Sequence, residues 1–218
     1  MSTVIAGKKK TVAVYDFDGT ITDRHTFWRF LRALVGPYKF WFTVVTMIPW
    51  IIGIYYRGAS IMAAREVLIR RLLKGLTEQH FKQTAEAFAK EQIPAWVKEQ
   101  ALASINAHRS QGSELLLISN SAKSYLEPWS RSVGIATVFG SEFEVDSNGR
   151  LTGNLHGTHC QGKEKLVCLQ RHLGSLQDYE LHVYGDSEGD IDMLNAADFA
   201  YYLTFDDLHR NDQRLCVQ

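Results

Sequence analysis

The chain has 218 residues, and its 24 basic and 24 acidic side chains balance, which excludes a nucleic-acid binder held by bulk charge. At 45% hydrophobic and 11% aromatic residues it can bury a sizeable core, so it is not disordered, and its length allows one large domain or a core with an inserted module. Cys160, Cys168 and Cys216 show no C-x-x-C spacing, and Met1–Lys10 is basic without an apolar run; neither a disulfide scaffold, a structural zinc site nor a secretory signal is expected, and a reduced, cytoplasmic setting is.

The first element is a short β-branched and aromatic run, Thr11–Tyr15, ending in Asp16-Phe17-Asp18-Gly19-Thr20. It reads as a buried strand whose C-terminal tip carries two carboxylates. Side chains alternate along a strand, so Asp16 and Asp18 converge while Phe17 turns inward. Two such carboxylates repel each other, and a bound cation is the natural neutraliser. A solvated acidic turn is the competing reading.

Residues 23–105 read as almost wholly helical, with no strand-like alternation. Phe27, Phe30, Leu31 and Leu34 recur at helical spacing, with Asp23 or Thr26 as cap. Phe40–Tyr56 holds no charged residue, lies between Lys39 and Arg57, and carries Trp41, Trp50, Tyr55 and Tyr56. It is a little short of the ~20 apolar residues a bilayer span needs, and Pro49 and Gly53 are expected to interrupt a helix. Three readings stand: buried helices of an inserted module, a segment embedded in a membrane surface by aromatic anchors, or a transmembrane helix. Ile61–Leu73 is a helix ending at Gly75, Thr77 opens another through Lys90, and Pro94 begins one running to about Gln111.

Beyond this point strands return. Glu114–Ser119 suits a central parallel strand. Phe143–Val145 and Leu151–Leu155, around Asp146–Gly149, predict a hairpin. Lys163–Leu173 reads as a helix, and Leu181–Tyr184 and Phe199–Leu203 as strands. The alternation predicts a doubly wound, Rossmann-like α/β core with a parallel sheet, built from residues 1–22 and 106–218, with residues 23–105 as an inserted all-helical module.

Three polar segments fall at predicted strand ends, where open α/β sheets collect ligands. Ser119-Asn120-Ser121 offers hydroxyls and amides for phosphate oxygens, though it also suits an ordinary helix cap. Gly162–Val167 places Lys163 and Lys165 at a helix start, where a lysine is commonly just solvated. Gly185-Asp186-Ser187-Glu188-Gly189-Asp190 sets two acids four residues apart after a strand, without the oxygen pattern of a calcium loop.

These four segments resemble, in order, the four motifs of the haloacid dehalogenase superfamily, most of whose members are Mg²⁺-dependent phosphatases. The resemblance implies a HAD-type phosphatase acting on a phosphomonoester, with Asp16 as nucleophile and Asp18 as general acid/base. It assigns Ser119 and the neighbouring Asn120 amide to phosphate binding. It favours Lys165 over Lys163 as the neutralising ammonium, since an apolar helix follows it at once. Mg²⁺ is then held by Asp16, the backbone carbonyl of Asp18 and Asp186, with Asp190 orienting the lysine or supporting the metal shell. The second acid at position 18 favours phosphate chemistry over carbon–halogen cleavage.

The helical insertion between the first two motifs resembles the family's C1 cap. The layout is similar to subfamily IB, which contains the phosphoserine phosphatases. Those place a Glu about nine residues after the nucleophile, where this chain has His25, with Asp23 nearby but out of register. Phe30-Leu31-Arg32-Ala33-Leu34 and the apolar stretch 40–56 also resemble bacterial phosphatidylglycerophosphatase C and its relatives. The substrate is therefore expected to be a small phosphorylated metabolite or, alternatively, a lipid phosphate met at a membrane surface. A phosphotransferase or a non-catalytic binding protein on the same fold is the reading of another class.

Overall fold

A computed structural model describes residues 9–56, 61–157 and 160–205. The basic N-terminal residues 1–8, Arg57 and Cys216 lie outside the described residues.

Six strands form one sheet in the order β4-β3-β2-β1-β5-β6. β1 (Lys10–Tyr15) lies between β2 (Glu114–Ala122) and β5 (Tyr179–Gly185), parallel to both. β3 (Thr137–Val145) and β6 (Phe199–Tyr202) extend the parallel sheet on either side. β4 (Leu151–His156) runs antiparallel to β3 at one edge as the expected hairpin, so the otherwise parallel sheet is mixed. A hairpin turn permits only that pairing, and Asp146 Oδ1 closes the turn by accepting from the amides of Asn148 (2.8 Å) and Arg150 (2.9 Å).

The alternation in β1 sorts the core. Val12 and Val14 join Leu116, Ile118, Leu181 and Val183 on one face, beneath α7 (Lys163–Leu173) and α8 (Ile191–Asn195). Ala13 and Tyr15 join Leu115 and Leu117 on the other, with α1 (Thr26–Val35), α4 (Glu78–Glu91), α5 (Glu99–Ser110) and α6 (Lys123–Val133). Tyr15, Tyr184 and Tyr201 are in register across three strands and stack at centroid distances of 4.6 and 4.3 Å. The chain leaves β1 toward β2 and later returns on its other side at β5. The tips of β1 and β5 therefore flank a topological switch point.

Among the described residues, five α-helices and one 3₁₀ turn lie between β1 and β2. Phe30 of α1, wholly buried, meets the rings of Phe81 (5.4 Å), Phe88 (5.4 Å) and Tyr125 (4.9 Å). That aromatic cluster fastens α1 and α4 onto α6. The expected boundary at residue 105 falls inside α5, which packs against β2, because the chain must cross the sheet face there to re-enter it.

Several local expectations differ from the structure. α2 (Pro37–Tyr55) is one helix running through Pro49 and Gly53. A proline forfeits one backbone bond, and the helix carries that loss without a break. Pro94 begins only a 3₁₀ turn, Ile93–Trp96, before α5 starts at Glu99. The turn and short link between α3 (Ile61–Leu73) and α4 are bonded to the hairpin through Gly75 N–Leu151 O (2.9 Å) and Leu151 N–Leu76 O (2.8 Å), and Thr77 bridges Arg150. α6, with Pro128 in its interior, and the first half of β3 have no counterpart in the predicted elements. The cap of α1 is His25, without a side-chain bond, rather than Asp23 or Thr26, whereas Thr77 does cap α4.

Truncating Phe30 to Ala should cost about 3–5 kcal/mol by leaving a cavity between α1, α4 and α6. Phe42→Ala, at 71% exposure, should change stability by under ~0.5 kcal/mol. Urea denaturation of both variants measures this contrast.

Candidate active site

Asp16 follows β1 directly and shares the face of Val12 and Val14, which turns it toward α7. Lys165, in the first turn of α7, meets it there. Its Nζ donates to Asp16 Oδ1 and to Asp190 Oδ1, both at 2.5 Å, and all three residues are buried. Lys163, two residues earlier, is exposed. Asp190 Oδ2 accepts from Ser187 Oγ (2.8 Å), Ser187 N (3.1 Å) and Asp186 N (3.3 Å), which closes the turn after β5. Asp190 thus spends its oxygens on Lys165 and this turn.

Asp186 follows β5 and receives Thr20 Oγ1 at 3.2 Å. Gly19, at φ +88°, passes so close that a Cβ there would lie 1.9 Å from Asp186 Oδ2. Only glycine fits both that conformation and that approach. The loop is further pinned by Lys98, whose ammonium donates to Gly19 O and whose amide donates to Ile21 O (2.9 Å).

Asp18 points away from this cluster. Its Oδ1 accepts from Thr26 N (2.8 Å) and Thr26 Oγ1 (2.6 Å), and its Oδ2 from Ser121 Oγ (2.6 Å). The first turn of α1 and the end of β2 therefore grip one carboxylate between them. Asp18 and Asp16 line a common cavity of about 600 Å³ with Ser119, Asn120, Ser121, Lys165 and Asp186.

Ser119, Asn120 and Ser121 belong to β2 rather than to a helix N-terminus, since α6 starts only at Lys123. The β2–β3 register slips there: Ile118 pairs with Phe139 and Ala122 with Ser141, so β2 bulges. Ser119 Oγ accepts from Ser121 N at 3.3 Å. Asn120 is held by Ser141 Oγ (3.2 Å) and donates to Gln161 Oε1 (3.2 Å).

The cavity also contains residues the motifs do not mark. Thr26 and Ser121 carry no signal beyond being hydroxyl-bearing residues near a motif. Arg65 reaches in from α3 (Ile61–Leu73), its guanidinium 5.8 and 5.9 Å from the ring centroids of Phe27 and Trp28, with its Nε buried without a hydrogen-bond partner. Burial lowers its pKa. Phe27, Arg65 and Asn120 also line a second cavity of about 370 Å³ that continues between α3 and β4 past Ile69, Phe143 and Leu155. His25 is exposed at the mouth.

Burial pushes Asp16 up to about 7; Lys165 opposes this, and the charges of Asp190 and Asp18 add to it. Burial also raises Asp186, with Asp190 adding. Burial alone would lower Lys165, but Asp16 and Asp190 outweigh it and hold the ammonium above the usual lysine range. Carboxylate oxygens of Asp16, Asp186 and Asp190 lie within 4.8 Å of one another. One ammonium cannot neutralise three acids, and Asp16 and Asp186 both line the cavity. An all-oxygen donor set of this kind fits a hard divalent cation.

The profile of the haloacid dehalogenase-like hydrolases matches residues 13–195. Protein CicA of Caulobacter vibrioides is 31% identical over 203 residues, covering 91% of this chain and 88% of that protein. Among solved structures, a protein of unknown function from Bordetella pertussis Tohama I superposes with a TM-score of 0.71 at 22% identity, covering 87% of each chain. A substrate-bound phosphoserine phosphatase superposes with a TM-score of 0.59 at 18% identity, covering 89% of this chain and 86% of that one.

The raised carboxylates give a pH signature. With no cation bound, the folded state favours protonated Asp16, so its contribution is full below pH ~4 and is lost as pH rises to about 7. In EDTA, Tm should fall between pH 5 and pH 7.5 more steeply for the native chain than for Asp16→Asn. Added Mg²⁺ should restore more at pH 7.5 than at pH 5, by about 2–4 °C per kcal/mol, read by differential scanning fluorimetry.

Proposed function

The chain belongs to the haloacid dehalogenase-like hydrolases, and from that premise we propose that it is a Mg²⁺-dependent phosphomonoesterase working through an aspartyl-phosphate. The observation that carries this reading is Lys165 bonded at 2.5 Å to both Asp16 and Asp190, on the floor of a cavity that also holds Asp18, Ser119 and Asp186.

In this reading Asp16 Oδ2 attacks phosphorus in line, while Lys165 fixes Oδ1 and offsets charge on the phosphoryl group. The hydroxyl of Ser119 and the amide of Asn120, freed by the bulge, take phosphoryl oxygens. Asp16, Asp186 and the backbone carbonyl of Asp18 would hold a Mg²⁺ ion, which would supply further charge neutralisation and favour the anionic form of Asp16. Asp18 protonates the leaving alkoxide, then takes a proton from the water that attacks the phosphoaspartate. Its three hydrogen bonds orient it for both steps, which makes Thr26 and Ser121 positioning residues.

The helices α1–α4 then serve as the cap that excludes water, with α5 counted in the core, and a small phosphorylated metabolite is the first substrate class. The leaving group would extend past Arg65 into the second cavity, where Phe27 and Phe143 offer apolar walls and Arg65 an unsatisfied donor. A lipid phosphate is the second reading, favoured by the exposed apolar face of α2 beside the cavity mouth.

Purified chain should release phosphate from a panel of phosphomonoesters, phosphatidylglycerophosphate in detergent included, with Mg²⁺ and not with EDTA. Asp16→Asn should abolish turnover without unfolding the chain; retained hydrolysis would remove Asp16 as nucleophile. Release that requires an acceptor alcohol would mark a phosphotransferase, and no release from any ester a binding protein. Ser121→Ala should lower kcat about tenfold or more with KM little changed, because Asp18 acts in the chemical steps.

A further inference from the structure

The face of α2 turned away from the protein is apolar. Phe40 and Met47 are buried on its inner side, whereas Tyr38, Trp41, Phe42, Val45, Ile48 and Ile52 are 45–92% exposed. Tyr38, the adjacent pair Trp41 and Phe42, then Val45, Ile48 and Ile52 follow one another at intervals of three or four, so they form one stripe along a helix about 28 Å long. Scattered apolar side chains are ordinary on a surface, but a continuous aromatic and aliphatic stripe marks a contact site.

Charge selects what covers it. From Arg24 to Arg65 the sequence holds six basic residues and no Asp or Glu, in a chain whose totals balance. A groove between α1 and α2 brings Arg24, Arg29 and Arg32 beside Phe40, Trp41 and Val44, with Asp23 its one acid. Asp23 is paired with Arg24 at 3.2 Å, and Arg29 lies over the ring of Trp96 at 5.2 Å. Arg32 and Lys39 are exposed beside the stripe.

We propose that the outer face of α2, rimmed by the basic side chains of α1, is a peripheral docking surface for an anionic phospholipid bilayer. Trp41, Phe42, Val45 and Ile52 enter the headgroup–acyl boundary while Arg32 and Lys39 meet lipid phosphates. α2 lies in the interface rather than across it. No single helix among the described residues is long and apolar enough to span, and the bent pair of Thr26–Val35 with Pro37–Gly53 could do so only by withdrawing Phe27, Phe30 and Leu31 from the core. His25 and Trp28 line both the basic groove and the active-site cavity, so docking sets the cavity mouth near the lipid surface. This surface stands whichever ester the site hydrolyses.

The full chain is floated with vesicles of phosphatidylcholine alone and with roughly 30 mol% phosphatidylglycerol, and tryptophan emission is followed with brominated acyl chains. It should float with the anionic vesicles, more weakly at high salt, with quenching that Trp41→Ser reduces. Phe42→Ser/Val45→Ser/Ile52→Ser should lower partitioning tenfold or more. Arg32→Glu/Lys39→Glu should lower it by more than the about fivefold expected of one basic contact. These exposed variants should keep their Tm and their Mg²⁺-dependent hydrolysis of a soluble ester, so loss of docking is separable from loss of the proposed activity. No flotation, flotation unmoved by the triple variant, release only by detergent, or a solution dimer that Phe42→Ser dissolves would each overturn the proposal.

Discussion

The buried contact of Lys165 with Asp16 and Asp190 is the constraint around which the site is arranged. It ties the tip of β1, the first turn of α7 and the turn after β5 into one point. An ammonium out of water is tolerated only when its partners outweigh desolvation, and two carboxylates at 2.5 Å do so. Removing either acid would leave charge without adequate compensation. Two neighbouring backbones must also accommodate the cluster: glycine at 19 lets Asp186 approach, and Asp186 and Ser187 together supply three donors to Asp190.

A second anchor joins this floor to the helices above it. Asp18 is held by the first residue of α1 and by Ser121 of β2, so the acid and the helical segment cannot move independently. α1 in turn is fixed to α4 and α6 through Phe30. Rotation of α1 would therefore change the orientation of Asp18, giving the segment between β1 and β2 a mechanical connection to the chemistry below. The same helix borders α2, whose outer face is apolar and exposed, so three different environments meet across one pair of helices.

Much of this was legible along the chain because strand tips in an α/β fold are written locally: an apolar run, then an acid, a hydroxyl or a glycine. Asp16, Asp18, Ser119, Asp186 and Asp190 sit at or just past such transitions, Lys165 opens a helix instead, and the strands and most of the helices followed from periodicity. The misread elements share a cause, which is tertiary override of a local signal. Pro49 and Gly53 stay inside α2, and β2 runs on through Ala122 as a bulged strand beside β3. Arg65 and Thr26 carry no motif of their own and Ser121 only neighbours the motif serine, so it is the approach of α1, α3 and β2 to one another that gives these three residues their place at Asp18 and the cavity.

The residue order by itself determined the α/β class and the helical segment between the first two strands, and it pointed to the acids and to a lysine, 163 or 165, of the candidate site. Those follow from hydrophobic period and from chemistry confined to a few consecutive residues. Only the tertiary structure decided that Lys165 rather than Lys163 is buried, that Asp18 turns from the acidic cluster toward Thr26 and Ser121, and that α2 shows its apolar stripe to the outside. An uncharged helix looks the same in sequence whether its faces are covered or bare. Which it is depends on the neighbours that packing places beside it.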